Sequence, residues 1–286
     1  MRYLITGAAG MLGRDLQSVL ADRDVTALGR AELDITDLEA TRAAVAGHDV
    51  VINAAAYTAV DNAETDEDAA FAVNALGAKN LAIAAREAGA KLLQVSTDYV
   101  FNGTATEPYP EDTAREPVSA YGRTKAAGEE FAQAEHPGGT YIVRTAWLYG
   151  EHGGNFPATM LRLAGSNPTV SVVADQVGQP TWTLDLARQL RALAESDAPA
   201  GAYHGTNSGA GSWYDFARAT FAEAGLDAER VLKTDSASFV RPAPRPAFSV
   251  LGHDAWAAVG LPAMRPWREA LHEAVASGAV AAPEAS

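Results

Sequence analysis

The stretch "RYLITGAAGMLGRDLQSVLAD" (residues 2–22) decides the fold, because it joins an apolar strand to an amphipathic helix through a glycine-rich turn. Its glycines are spaced G-x-x-G-x-x-G, a pattern that is informative when it lies between a strand and a helix. Gly7 permits a tight turn, Gly10 lets the backbone approach a pyrophosphate, and Gly13 lets the helix pack closely on the strand. Free N–H groups at the start of the helix attract phosphate. The stretch therefore predicts a dinucleotide-binding, Rossmann-type fold.

The same pattern of a short apolar run and an amphipathic segment repeats along the first half of the chain. Predicted strands cover 2–6, 24–28, 49–55, 91–97 and 140–146, and predicted helices cover 11–22, 37–47, 66–89 and 120–135. The strands are almost continuously apolar, which is typical of parallel strands covered on both faces. Repeated β-α units of this size predict an α/β fold with a doubly wound parallel sheet.

The regularity weakens after Trp147, where loops rich in proline and glycine separate shorter elements. Predicted helices cover 155–165, 182–196 and 212–225, and a predicted strand covers 169–175. We assign 1–150 and roughly 170–196 to the Rossmann-type dinucleotide-binding domain. Roughly 151–169 and 197–280 are assigned to a smaller C-terminal α/β substrate domain that is interleaved with the first.

The composition excludes several classes of partner. The net charge of −14 argues against binding to nucleic acid or anionic membranes, which requires basic patches. The apolar runs are far shorter than the ~20 residues that cross a bilayer. The chain has no cysteine, and its first residues enter a strand without a signal-peptide pattern. We therefore expect a cytoplasmic protein.

The residues after the second strand bear on the choice of cofactor. NAD sites usually carry an acidic residue there, which binds the ribose 2′-OH, whereas an arginine can pair with the 2′-phosphate of NADP. This strand ends "ALGR" (27–30), with Arg30 and without an acid. We predict NADPH as the preferred reductant, with NADH left open. Asp34 is expected to face the adenine or ribose side.

Two motifs carry the groups that a carbonyl reduction needs. "STD" (96–98) ends a strand, where ligands bind in open α/β sheets, and "YGRTK" (121–125) places a phenol and an amine one helical turn apart. Hydride transfer to a carbonyl carbon leaves charge on the oxygen, which needs a hydrogen bond and a proton. Thr97 is expected to hold that oxygen and Tyr121 to donate the proton. The Lys125 ammonium is expected to lower the phenol pKa from its usual value of about 10.

A series of motifs, in order and at similar intervals, resembles the dTDP-4-dehydrorhamnose reductase family of the extended short-chain dehydrogenase/reductases. These motifs are "GAAGMLG" (7–13), "NAAAYTAVDNAE" (53–64), "STDYVFNG" (96–103), "YGRTKAAGE" (121–129), "RTAWLYG" (144–150), "DQVGQPTW" (175–182) and "RPAFSVL" (245–251). The likeness covers nearly the whole chain, and "STDYVF" followed by "YG-x-TK-x-x-GE" is specific to that family. It implies NAD(P)H-dependent reduction of the 4-keto group of dTDP-4-dehydro-L-rhamnose to dTDP-L-rhamnose, and therefore a nucleotide sugar as the small-molecule partner.

The resemblance also implies roles for individual residues. Thr97, Tyr121 and Lys125 match the family's catalytic trio, in which the lysine also holds the nicotinamide ribose. Matching cofactor positions are Gly10, Met11 and Leu12 over the pyrophosphate, Asp34 and Ile35 near the adenine, and Ala56, Tyr57 and Thr58 along the cofactor. Matching substrate positions are Thr97, Asp98, Tyr121 and Trp147, with Asn155 and Arg245 near the diphosphate of the nucleotide sugar.

The chain departs from the family at a metal site. Some members dimerise through a magnesium ion bound by three acidic residues. Asp15 and Glu273 match two of these positions, but Leu184, beside Asp185, stands at the third. Because Mg²⁺ requires near-ideal oxygen geometry, we do not predict a metal, and a homodimer stays open.

Other functions on the same fold stay open. Another 4-keto-6-deoxy nucleotide sugar would fit the same trio in a reductase or an epimerase. Epimerases and dehydratases recycle a tightly held NAD, which the missing acid after the second strand disfavours. The dehydratases also place an acid after "TD", where this chain has Tyr99. A non-catalytic regulatory subunit, as in the β-subunit of methionine adenosyltransferase, would not need the intact trio.

Overall fold

A computed structural model describes residues 1–281 and confirms the predicted α/β fold. The strands are β1 (Arg2–Thr6), β2 (Asp24–Leu28), β3 (Val50–Asn53), β4 (Lys91–Thr97), β5 (Thr140–Thr145), β6 (Leu148–Tyr149), β7 (Val170–Val173), β8 (Val177–Gly178), β9 (Thr181–Trp182), β10 (Gly201–His204), β11 (Gly211–Ser212) and β12 (Val231–Thr234). The helices are α1 (Met11–Val19), α2 (Leu38–Val45), α3 (Val60–Ala63), α4 (Glu67–Phe71), α5 (Gly77–Ala88), α6 (Ala120–Glu135), α7 (Phe156–Ser166), α8 (Thr183–Ala194), α9 (Trp213–Glu223), α10 (Asp254–Ala258) and α11 (Trp267–Ala276).

The central sheet of the described chain has six parallel strands in the order β10-β5-β4-β3-β1-β2. From β1 the chain adds β2 on one side, and it then crosses over to add β3 on the other side. The strand order therefore reverses beside β1, and a crevice opens there at the carboxyl ends of the strands. Ligands bind at this point in doubly wound sheets.

Apolar helix faces cover both sides of the sheet. On one side Leu16 of α1, Leu190 of α8 and Trp256 of α10 are fully buried against the strands. On the other side Leu81 of α5 and Ala132 of α6 pack against them. Each fully buried leucine stabilises the fold by roughly 1.5–3 kcal/mol, so these layers hold the strand ends that carry the site.

A smaller unit packs around aromatic side chains. Phe156 of α7, Trp213 and Phe216 of α9, and Trp267 of α11 form one cluster. Short strand pairs border this cluster, namely β7 with β12, β8 with β11 and β6 with β9.

Three elements differ from the sequence-based expectations. β10 lies within the range assigned to the substrate domain but pairs with β5 at the edge of the central sheet. β7 lies within the range assigned to the Rossmann-type domain but pairs with β12. The predicted helix 66–89 is divided into α4, a π-helical turn (Ala72–Leu76) and α5. Both strands pair with partners distant in sequence, which hydrophobic periodicity does not report. The predicted domain boundaries remain a prediction.

The helices of residues 1–281 are all too short or too polar to cross a membrane.

Candidate active site

The glycine turn between β1 and α1 requires glycine at two of its three positions. Gly7 has a φ of 70°, and a Cβ on it would lie 2.5 Å from the Ala55 nitrogen, just after β3. A Cβ on Gly13 would lie 2.3 Å from the Gly7 carbonyl oxygen. Gly10 precedes α1 with an extended backbone and supplies no capping side chain, so Met11 and Leu12 begin the helix at the crevice. The contact of this turn with a pyrophosphate stays a prediction.

The residues after β2 include an acid that sequence analysis did not place there. Arg30 is exposed, as its predicted contact with a 2′-phosphate requires. Glu32, however, turns back and accepts a hydrogen bond from the Gly29 nitrogen at 3.0 Å. The strand end "ALGR" (27–30) itself has no acid, but Glu32 reaches back to it from two residues further along the chain. The positive side chain of Arg30 and the negative side chain of Glu32 therefore both border the position predicted for the ribose.

Asp34 and Ile35 differ in exposure. The Asp34 carboxylate accepts hydrogen bonds from the Thr36 hydroxyl at 2.7 Å and the Thr36 nitrogen at 2.9 Å, which hold its pKa below the usual value. Ile35 is buried in the core against Gly77 of α5. Because this side chain lies in the core, only the backbone at Ile35 can lie near an adenine. That contact stays a prediction.

The segment Ala56–Thr58 is held by a residue that sequence analysis missed. Asn74, in the π-helical turn, accepts a hydrogen bond from the Tyr57 nitrogen at 2.9 Å and donates one to the Tyr57 carbonyl at 3.1 Å. Its amide also donates to the Thr124 hydroxyl of α6 at 3.1 Å. π-helical turns often occur at functional sites. The signal in the sequence was an asparagine inside the otherwise apolar stretch "AAFAVNALGA" (69–78).

Thr97, Asp98 and Tyr121 meet at the carboxyl end of β4. The Thr97 hydroxyl donates to the Asp98 carboxylate at 2.9 Å and accepts from the Tyr99 nitrogen at 3.2 Å. Tyr121 lies in the first turn of α6, with its ring edge-on to Tyr99 at 5.6 Å. A Cβ on Gly122 would lie 2.3 Å from the Tyr99 carbonyl oxygen, so α6 contacts the strand end directly. The structure brings these predicted residues together.

Lys125 lies one turn further along α6. It is 4% exposed, and its ammonium donates to the Val95 carbonyl of β4 at 2.7 Å. Burial lowers the pKa of Lys125 to about 8, while the nearby carboxylate of Glu129 opposes the fall. The lysine therefore remains mostly charged at neutral pH.

The pKa of Tyr121 contradicts the sequence-based expectation. Burial raises it to about 12, the hydrogen bond with Thr97 opposes the rise, and the charge of Asp98 adds to it. The prediction that Lys125 brings the phenol pKa below 10 is wrong for the chain alone, because the burial of Tyr121 raises its pKa. Tyr121 is a protonated phenol at neutral pH.

Asp98 is a buried carboxylate next to these groups. Burial raises its pKa to about 6, although hydrogen bonds from Ser249 and Thr97 lower it. Its second oxygen, Oδ2, has the Ser249 hydroxyl nearby but makes no well-aligned hydrogen bond within residues 1–281. An orphaned buried acceptor beside Tyr121 fits a substrate hydroxyl.

Trp147 adopts a strained backbone. Its φ of 47° lies in the left-handed region, which is rare for a bulky side chain and marks functional sites. The indole stacks on Trp213 of α9 with ring centroids 3.7 Å apart, and it packs against Gly178. This position joins the end of β5 to the smaller unit. Trp213 was not among the predicted site residues, since the contact links segments far apart in sequence.

Arg245 and Asn155 pair with local groups. Arg245 donates to the Asp61 carboxylate of α3 at 2.9 Å, and Arg241 binds the other oxygen of that carboxylate at 3.2 Å. The charges of Arg245 and Asp61 both act on Tyr99, so this loop borders the site. Asn155 caps α7 through the Ala158 nitrogen and donates to the Gly150 carbonyl at 2.8 Å. Its predicted diphosphate contact has no support from this geometry.

The acidic residues considered for a metal are bound to arginine. The Asp185 carboxylate receives two hydrogen bonds from Arg265, at 2.8 and 2.9 Å, and Glu273 pairs with the same guanidinium. Asp15 lies beside Thr183. The described residues contain no cluster of three or more His, Cys, Asp or Glu arranged to hold a metal ion.

Comparison with known proteins adds a family. The family described as RmlD substrate binding domain matches residues 1–280. A dTDP-4-dehydrorhamnose reductase of Streptomyces griseus is 52% identical over 95% of this chain and 92% of its own length. A probable dTDP-4,6-dihydroxy-2-methyloxan-3-one 4-ketoreductase of Streptomyces antibioticus is 50% identical over 96% of this chain and 94% of its own. A crystal structure of dTDP-4-dehydrorhamnose reductase from Bacillus anthracis in complex with NADP has a TM-score of 0.92 at 38% identity, covering 96% of this chain and 99% of that one.

Proposed function

Since the chain belongs to the family described by the RmlD substrate binding domain, we propose that it reduces the 4-keto group of dTDP-4-dehydro-L-rhamnose to give dTDP-L-rhamnose. The observation that carries the proposal is the meeting of Thr97 and Tyr121 at the end of β4, with Lys125 one turn away. These groups lie on the same sheet edge as the glycine turn after β1.

NADPH is the proposed reductant. The relative from Bacillus anthracis was crystallised with NADP. In this chain the turn at Gly7 and Gly13 leaves no room for a Cβ, and the uncapped start of α1 offers backbone N–H groups to phosphate. Arg30 is exposed for a 2′-phosphate, whereas Glu32 opposes it. When bound, the dinucleotide supplies the hydride.

Tyr121 acts as the proton donor. With a pKa of about 12 it is protonated at neutral pH, and an alkoxide is far more basic than a phenolate. The Thr97 hydroxyl, which donates to Asp98 in the structure, would turn its one proton to the same oxygen when substrate is bound. The charge of Lys125, one turn along α6, stabilises the phenolate that the transfer leaves.

The substrate side is proposed to form where the strand ends of the central sheet meet the smaller unit. Trp147 is proposed to face the sugar, because its strained backbone positions the indole at the end of β5. Asp98 accepts a sugar hydroxyl through its orphaned oxygen. Arg245 is proposed to bind the diphosphate, for which it would exchange its contact with Asp61.

A second candidate keeps the reaction and changes the sugar. The relative from Streptomyces antibioticus, of nearly equal identity, is named for a different 4-keto sugar. The catalytic groups of this chain touch the reacting carbonyl and do not read the remaining hydroxyls, so another dTDP-4-keto-6-deoxy sugar is the alternative substrate.

The experiment measures NADPH oxidation with dTDP-4-dehydro-L-rhamnose. Tyr121→Phe removes the proton donor and is expected to lower kcat by about 10²–10⁴-fold, the usual contribution of general acid catalysis. Tyr214→Phe, which removes a phenol that receives a hydrogen bond from Arg218 in the smaller unit, is the matched control and is expected to leave kcat unchanged. A folded wild type that binds NADPH but does not oxidise it would overturn the proposal. Turnover with only another 4-keto sugar would favour the second candidate.

A further inference from the structure

We propose that Glu129 is a positioning residue for the reduction, which keeps the Lys125 ammonium charged beside Tyr121 while Arg144 fixes the Glu129 carboxylate. The inference rests on the role proposed above for Lys125. It assigns a function to the buried ion pair of Glu129 with Arg144. Neither residue is among the predicted catalytic or binding residues.

The spacing on α6 places three groups on one face. Tyr121, Lys125 and Glu129 follow one another at intervals of four residues, so each lies about one turn from the next. Lys125 is 4% exposed and Glu129 is 1% exposed. The two charges therefore interact with little screening by water.

Arg144 of β5 holds the Glu129 carboxylate in place. Its Nε donates to the two carboxylate oxygens at 3.0 and 3.2 Å, and its Nη2 donates to one of them at 2.8 Å. The guanidinium also lies over the Phe101 ring. A carboxylate bound in this way cannot swing toward Lys125, so it acts on the ammonium through its field.

Other charged or titratable groups also surround the pair of Glu129 and Arg144. Arg115 approaches Glu129 at 3.6 Å, and Glu111 offers its backbone carbonyl to Arg144 at 3.0 Å. His204 of β10 accepts from Arg144 at 3.3 Å while its other nitrogen donates to the Gly252 carbonyl. Burial and Arg144 lower the pKa of His204 to about 3, so it is neutral. Glu129 is thus the one fully buried anion between Lys125 and Arg144 in the described chain.

Stability alone does not account for this arrangement. A buried ion pair costs about as much to desolvate as it returns, and apolar replacements are often equally stable. In the absence of Glu129, Lys125 would share a dry environment with another cation and would lose its proton more readily. The pair therefore extends the pH range over which the lysine is charged.

The test is the pH profile of kcat/KM. In the wild type, activity falls as pH rises through the pKa of Lys125, because the charged form is required. In Glu129→Gln this alkaline limb is expected to move down by about one to three pH units, the usual effect of one close charge. Activity at neutral pH falls accordingly and is recovered at lower pH, which a merely damaged fold would not show.

Two further variants make the outcome decisive. Glu129→Asp keeps the charge on a side chain that is one methylene shorter, and its limb is expected to stay closer to that of the wild type than the limb of Glu129→Gln does. Glu130→Gln removes a neighbouring exposed carboxylate and is expected to leave the limb in place. An unshifted limb in folded Glu129→Gln, or a full downward shift in Glu129→Asp, overturns the inference. If Glu129→Gln does not fold, the double variant Glu129→Gln/Arg144→Met, which leaves no unpaired buried guanidinium, replaces it, and an unshifted limb there likewise overturns the inference. Failure of the proposed function is distinct, since the wild type itself would then show no turnover.

Discussion

Around Tyr121 the candidate site is held by close contacts between backbones, whereas around Arg245 it is held by side chains that pair with one another. The glycines of α6 allow direct contact with the Tyr99 and Asn74 carbonyls. On the other side, Arg245 binds Asp61, and Trp147 stacks on Trp213.

The two kinds of contact differ in how easily a ligand can change them. Backbone contacts without room for a methyl group cannot rearrange unless helix and strand move apart. Side-chain pairs at a loop can exchange one partner for a ligand at a small cost. We infer that the proton-transfer geometry is fixed before substrate arrives and that substrate choice is set in the smaller unit.

The largest effect is expected from Asp98 in the backbone-held region. Its folded pKa of about 6 lies above the usual value, so its contribution to stability is present below about pH 4 and is lost as pH rises through 6. Relative to Asp98→Asn, the wild type should lose ~3 kcal/mol of unfolding free energy between pH 4 and pH 7. Urea unfolding across this range measures the difference. Asp112→Asn, at an exposed position, is the control, and parallel curves for wild type and Asp98→Asn would contradict the prediction.

A pair of glycine substitutions compares the two regions directly. A Cβ on Gly128 of α6 would lie 2.2 Å from the Asn74 carbonyl oxygen, so Gly128→Ala should lower the free energy of unfolding by about 1–3 kcal/mol. Gly165 of α7, in the smaller unit, has open space around its Cβ direction within residues 1–281. Gly165→Ala should therefore stabilise by about 0.5–1 kcal/mol. Equal changes in the free energy of unfolding for Gly128→Ala and Gly165→Ala would contradict the proposed difference between the two regions.

The cofactor end of the site gives an intermediate effect. Arg30→Ala should lower the ratio of kcat/KM with NADPH to that with NADH by about 10- to 100-fold, since a hydrogen bond to a charged group contributes ~1.5–3 kcal/mol. Arg14→Ala, a nearby exposed arginine bound to the Ala9 carbonyl, is the comparison. An unchanged ratio in Arg30→Ala would remove Arg30 from the cofactor site.

The smallest effect is expected at the exchangeable pair. Asp61→Asn removes the carboxylate that competes with a diphosphate for Arg245, so KM for the nucleotide sugar should fall about two- to fivefold with kcat unchanged. Initial rates at low and high salt measure this, because added salt should reduce the difference. A rise in KM would mean that Asp61 orients Arg245 instead of competing for it.

Local patterns predicted the regular part of the molecule well. The bounds of β1, β2, β4 and α6 agree with the predictions from periodicity and glycine stops, and the motif-based family resemblance is confirmed. The spacing of Tyr121 and Lys125 is a local property of one helix, so it was readable. Their roles, like those of the other predicted site residues, stay predictions until variants are measured.

The parts that sequence did not predict depend on contacts between distant segments. Asn74, Trp213 and the pair of Glu129 with Arg144 act through partners that no local pattern names. The predicted direction of the Tyr121 pKa shift was wrong, because the spacing of residues shows the neighbouring Lys125 but does not show how deeply the phenol is buried. Glu32 was not predicted because it lies two residues beyond Arg30 and reaches back to Gly29 only in the folded chain.

The late position of α8 in the chain has a consequence for biosynthesis. The apolar face of α1 is covered by Leu186, Leu190 and Leu193, which are synthesised long after it. At about 5–20 residues per second, α1 leaves the ribosome roughly ten to forty seconds before its cover exists. The nascent chain must therefore protect Leu16 and Leu20 by a chaperone or by transient collapse. A truncation that ends at residue 150 should aggregate even though it contains every predicted catalytic residue.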